Sequence, residues 1–216
     1  MSILHNKFLP VVAIKIISVA IVICVGLGAT YFYRTVIVGE YSFKTTYTEK
    51  DINSDLLEND FFTTSTGSGS IYGPLGSAQQ SGNPDRLDQV LTFSVLDTNE
   101  ESLANVVIIP QSIPKDVDQN IYRKDSVKNL IKSAESGGSL QNVKVDTVAK
   151  VKKGSVKAIV LGSHGEVKGV KFNFLQYMTV KNDNLYVVTA AAPSDTWDEL
   201  EASILSSLLT FEVKGH

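Results

Sequence analysis

Three histidines, one cysteine and 23 carboxylates bound the chemistry that this 216-residue chain can attempt. Nucleophilic catalysis needs a base beside its nucleophile. Ser163 and His164 in GSHGEVKG are sequence neighbours, which seldom gives that geometry. Gly162 and Gly165 around them mark a loop, so His164 reads as a solvated turn residue. His5 lies near the start and His216 is the last residue. DVDQN, Asp116 to Asn120, matches the first half of a calcium loop, but Ile121 replaces the required Gly and Val127 the bidentate Glu. It reads as a solvated loop. Asp195, Asp198, Glu199 and Glu201 have the residue types of an acid pair, yet fit a helix cap and its exposed face better. Tyr177, Tyr186 and Trp197 are candidates for lining a ligand groove, against the ordinary reading of core or rim packing. No catalytic residue is assigned, no cofactor is expected, and the chain is expected not to be an enzyme.

Composition narrows the classes further. With 43% apolar and 20% charged residues, the balance is that of a globular protein. A net charge of -3 argues against a nucleic-acid partner, which calls for a basic excess. Cys24 alone excludes an internal disulfide framework and a cysteine-based zinc cluster.

The elements that would position these residues begin after an apolar N-terminus. Ile16 to Tyr33 is an uncharged run of eighteen residues, flanked by Lys7, Lys15 and Arg34. That length spans a hydrocarbon core, and Tyr31, Phe32 and Tyr33 suit the interfacial aromatic belt. Residues 1–34 are therefore expected to be a tail and single-pass transmembrane helix, with a cleaved signal peptide or a lipoprotein signal at Cys24 as the other readings. Flanking charge is nearly balanced; the very short N-terminal tail favours an extracytoplasmic domain. Residues 35–85 read as a juxtamembrane segment with a short strand at Tyr41 to Tyr47 and a Ser/Gly-rich mobile loop over 63–84. That loop lacks the GK[ST] end of a phosphate cradle.

Residues 86–216 read as an α+β domain. Strands are expected in RLDQVLTFSVLD, in NVVIIP up to Pro110, in NVKVDTVAKV, SVKAIVLGSHG, VKFNFLQYMTV and LYVVTAAA. A helix capped by Asp125 carries Val127, Leu130, Ile131 and Ala134 and ends at Gly137-Gly138. The turn KNDN joins the last two strands as an antiparallel pair. Three alanines thin the end of the last strand, Pro193 stops it, and Thr196 with Glu199 fits a capping box. Trp197, Leu200, Ile204, Leu208 and Phe211 then form one apolar stripe of a C-terminal helix.

The segments VKGVKFNFLQYMTV, NLYVVTAAAP, the following Trp197 and LLTFEV carry a resemblance to PsbP-like proteins over about residues 86–213. The resemblance implies an α-β-α sandwich around a central antiparallel sheet, usually on the outer side of a membrane. It contains no catalytic motif. Some PsbP relatives bind metal ions, which implies His164 and Glu166 as a divalent-metal pair. The aromatic-Pro-x-Gly-Trp opening of photosynthetic members and a thylakoid transit peptide are absent, which argues against a photosystem role. The resulting expectation is a prokaryotic cell-membrane protein with a single span. Its extracytoplasmic domain would bind a protein partner as an accessory or adapter subunit of an envelope complex. A small-ligand or metal-binding module is the second reading, and a hydrolase with an unrecognised site the third.

Overall fold

The computed structural model describes residues 39–63, 69–79, 91–97, 102–113, 119–136 and 140–213. The apolar run 16–33 with Cys24, the acids of DVDQN and Gly137-Gly138 lie outside the described residues. Among the described residues no helix is long and apolar enough to cross a membrane.

The longest alternating segments form the centre of one sheet. These strands are β7 (Gln141–Lys153), β8 (Val156–Val167), β9 (Val170–Lys181) and β10 (Asn184–Pro193). Two-residue turns join them, pairing Lys153 with Val156, Val167 with Val170 and Lys181 with Asn184. Asn182 and Asp183 take φ of 52° and 58°, the left-handed conformation that a tight hairpin turn demands and that Asn and Asp tolerate. Beyond β10 the sheet continues with β6 (Ser102–Ser112), β5 (Leu91–Leu96) and β4 (Ser77–Gln79); beyond β7 it gains β1 (Thr45–Thr48).

The sheet is mixed rather than wholly antiparallel, because β1 pairs with β7 in parallel. No hairpin links the two, so nothing forces them to run in opposite directions. The expected strand at Tyr41 to Tyr47 starts later, at Thr45. Tyr41 and Phe43 instead stack edge-on in a series with Tyr122, with centroids 5.1 and 5.6 Å apart. Pro110 does not stop β6; it sits opposite Tyr186. The register described for β5 reaches only as far as Ile108, so Pro110 lies where a missing N–H is tolerated.

Each face of the sheet is covered. Helix α1 (Lys124–Glu135) and residues 121–122 lie on the face bearing Ile159, Leu161, Phe172 and Met178. Helix α2 (Trp197–Thr210) lies on the other, against Val160, Tyr177, Val188, Ala190 and Ala192. The alanines are fully buried there, and their small side chains let the helix approach the strand. The stripe of Trp197, Leu200, Ile204 and Leu208 is buried as its spacing predicts, with Phe211 just past the helix end. Neither expected cap forms. Asp125 lies inside the first turn of α1, where its carboxylate accepts from Arg123 Nε and Nη2 at 3.0 and 2.8 Å. The Thr196 hydroxyl turns back to donate to the Pro193 carbonyl at 3.1 Å, which removes it from the helix N–H groups.

The stretch 63–84, expected as a loop, contributes two strands, so sheet formation begins well before residue 86. β3 (Gly69–Pro74) joins β2 (Leu57–Thr63) and β11 (Glu212–Val213) in a small second sheet. The small sheet packs on α2: Tyr72 N donates to Thr210 Oγ1 at 3.0 Å, and Ser207 Oγ donates to the Tyr72 carbonyl at 2.6 Å. Ile71, 1% exposed, enters the core beside Ile204 and Phe211. The serines and glycines around it conceal that single deep contact. Ile71→Ala is expected to lower unfolding free energy by about 2–4 kcal/mol, read from urea denaturation. A residue in a linker would change it by less than about 0.5 kcal/mol.

Candidate functional site

β8 runs unbroken through Gly162 and Gly165, so His164 lies on a strand and not in a turn. The two glycines serve close approach instead. A Cβ at Gly162 would stand 3.2 Å from Thr147 Cβ, and one at Gly165 would stand 3.1 Å from Val143 Cγ2. Both contacts come from β7, whose register against β8 shifts twice, between Gln141 and Lys144 and between Val145 and Thr147. A bulge re-aims the side chain it carries. Here Asp146 sits in the second irregularity, and its Oδ2 lies 2.6 Å from His164 Nδ1.

This pair borders an open depression of about 370 Å³ at one end of the sheet, lined by Asn142, His164, Glu166, Lys171, Asn173 and Ser194. Asn173 is the direct cross-strand neighbour of His164, and Lys171 that of Glu166. Ser194 is held here by its backbone N–H, which donates to the Lys171 carbonyl at 3.0 Å. Its hydroxyl donates to Asn173 Oδ1 at 2.6 Å. The serine proton is thus directed to an amide oxygen and not to the imidazole. His164 and Asp146 have side chains 49% and 47% exposed, so water competes for both. The arrangement offers polar groups of both signs to a ligand but no activated nucleophile.

The metal pair implied for His164 and Glu166 gains Asp146 beside the histidine, but among the described residues no group of three or more His, Cys, Asp or Glu gathers at metal-binding reach. Asp146 was not singled out from sequence, because its contact with His164 depends on a strand irregularity that spacing does not encode. The acids Asp198 and Glu199 lie in the first turn of α2, where a helix favours negative charge.

The three aromatic groove candidates do converge, but inside the core. Tyr177, Tyr186 and Trp197 are 0%, 6% and 5% exposed. Phe211 packs against both tyrosines, with centroids 5.9 and 6.0 Å away. They line α2's seat on the sheet, because odd-numbered residues of β9 face that helix. Tyr177 also reaches a cleft of about 480 Å³ bordered by Val156, Lys157, Lys181 and Val213. Its hydroxyl is buried without a hydrogen-bond partner among the described residues. Burial drives its pKa well upward, with Tyr122 and Glu212 adding to the effect. Burial likewise raises the pKa of Tyr122 and of Tyr47.

The fold matches solved structures of distant sequence. One is the solution structure of cyanobacterial PsbP (CyanoP) from Synechocystis sp. PCC 6803, with TM-score 0.54 and 16% identity over 72% of this chain and 92% of that one. The Ran-binding protein Mog1p of Saccharomyces cerevisiae gives TM-score 0.54 and 10% identity over 73% and 96%. LpqN of Mycobacterium tuberculosis, involved in cell envelope biogenesis, gives TM-score 0.50 and 14% identity over 79% and 99%. No family model matches the chain, and no curated protein matches it in sequence. The chain folds as a PsbP-like domain, and at these identities the fold is what is shared.

The Tyr177 hydroxyl yields a test. A phenol whose folded pKa exceeds its unfolded value of about 10 supports the fold fully below that pH and progressively less above it. Tyr177→Phe is expected to leave stability at pH 7 unchanged or raise it by up to about 1 kcal/mol, since an unpartnered buried hydroxyl is removed. Between about pH 9 and 11 the variant should lose stability less steeply than the parent in urea titrations. A marked loss at pH 7 would mean that the hydroxyl has a partner.

Proposed function

We propose that this PsbP-like domain is an extracytoplasmic, membrane-anchored binding module, an accessory or adapter subunit of an envelope complex that acts without catalysis. The anchor is the apolar run 16–33. The observation that carries the binding reading is an aromatic surface on the small sheet. Phe61 and Tyr72 are 50% and 40% exposed, their rings meet edge-on at 5.9 Å, and Leu75, just after the hairpin, is 51% exposed. Phe61 and Tyr72 share one hairpin, whose backbone α2 fixes at Tyr72. Aromatic residues on a rigid support supply large contact area at little entropic cost, and they are enriched at the centres of protein interfaces. Mog1p, described as Ran-binding, and LpqN, described by its part in envelope biogenesis, have the same fold and support this reading.

Photo-crosslinking in native membranes tests it. A photoreactive residue replacing Tyr72 is expected to yield a discrete crosslinked protein. One replacing Lys171, on the His164 depression, should not. Phe61→Ser should abolish the product while the urea midpoint holds, because the side chain is half exposed. No product from position 72 would overturn the adapter reading.

A further inference from the structure

Charge is divided unevenly along this chain. Residues 123–181 hold twelve Lys and Arg against four Asp and Glu, whereas the rest holds eight against nineteen. The fold gathers part of that excess onto one face. On α1, Lys124, Lys128 and Lys132 recur every fourth residue and all are exposed, while Val127 and Leu130 on the other side are buried. Like charges at that spacing repel and weaken a helix. At the β7–β8 hairpin, Lys152 stands directly opposite Lys157, both exposed. Like charges directly opposite also destabilise a strand pair.

Tyr122 joins the two groups. Its ring lies 4.1 Å from Lys150 Nζ and 5.9 Å from Lys157 Nζ, and it precedes α1 by two residues. The acids nearby are engaged: Asp125 with Arg123 at 2.8 Å, Glu40 with Lys150 at 3.3 Å, and Glu135 with the Val145 N–H. Among the described residues Lys124, Lys128, Lys152 and Lys157 form no ion pair.

The chain enters the described fold at this same face. Lys124 N donates to the Gly39 carbonyl at 3.0 Å, and Tyr41 N donates to the Tyr122 carbonyl at 2.8 Å. Glu40 and Arg123 form an isolated bridge between these bonds. Gly39 is therefore tied to the first turn of α1. Only residues 34–38 separate it from Tyr33, the end of the apolar run. The six Cα–Cα steps from Tyr33 to Gly39 span at most about 22 Å, which sets the greatest distance from the anchor's end to this face.

We propose that the face formed by α1 and the β7–β8 hairpin docks on the anionic phospholipid surface of the membrane that carries the anchor. The inference rests on the anchored reading above. Lysines near an anionic leaflet are attracted to its headgroups, and the tether keeps the face at high local concentration there. Docking relieves both like-charge arrangements.

The test uses the full chain in lipid nanodiscs, either all phosphatidylcholine or about one-third phosphatidylglycerol, with amine acetylation read by mass spectrometry. Resistance of incorporation to alkaline carbonate reports the anchor separately. Acetylation of Lys124, Lys128, Lys152 and Lys157 is expected to slow by about fivefold or more in the anionic discs, the effect of one surface-bound lysine, and to recover in high salt. Lys171, on the opposite face and at the other end of the sheet, should react equally in both. Lys128→Glu with Lys152→Glu should abolish the difference without lowering the melting temperature, since the change removes repulsion. Equal labelling in both discs overturns docking while carbonate-resistant incorporation keeps the anchor. Protection in native membranes but not in anionic discs assigns the face to a protein and also overturns it. A chain that washes off is assayed with vesicles of the same compositions: protection there keeps docking without the anchor, and its absence overturns both.

Discussion

A sheet that buries side chains on both faces cannot stand uncovered, and this requirement organises the molecule. Every residue of β10 from Leu185 to Ala192 is buried. One face of the sheet is closed by α2, the other by α1 and the residues just before it. The fit on the α2 side depends on contrast in size. Ala190 and Ala192 allow the helix to come close, and Phe211 then fills the space between Tyr177 and Tyr186. Dense packing of this kind makes the aromatic residues structural, which is why three residue types that suit a ligand groove end up inside the core.

Once both faces are covered, three surfaces are left with distinctive chemistry. The His164 depression has paired polar groups and no activated nucleophile. The small sheet shows aromatic side chains to solvent. The face around α1 and the β7–β8 hairpin is rich in lysine and receives the incoming chain. The last two are carried by elements whose inner sides pack into the core. The like-charge lysine pairs weigh slightly against stability, so their placement is not explained by the fold alone.

Much of the architecture was readable from residue order. β7 alternates while β8 and β10 carry continuous apolar runs, and the short polar turns between β7 and β10 permit only antiparallel hairpins. The C-terminal helix shows its buried stripe at spacings of three and four. The Ser/Gly-rich stretch was not readable, because Ile71 is its single deeply buried aliphatic and one of its pairing partners lies at the far C-terminal end, in β11. Gly162 and Gly165 misled for a related reason. Glycine marks turns and close backbone approaches alike, and only the bulged neighbour β7 distinguishes them.

By itself the sequence determined the order and type of the main elements, the PsbP-like resemblance and the apolar N-terminal run. Those properties are local or periodic, and periodicity is written directly into residue order. Tertiary structure alone decided that Asp146 meets His164 across 18 positions, that Tyr177, Tyr186 and Trp197 are core, and that the lysines of α1 and of the β7–β8 hairpin share one face. Each of these depends on strand register or on a helix's seat on the sheet. Register is set by the sum of many contacts across distant segments, so no single stretch of sequence carries it.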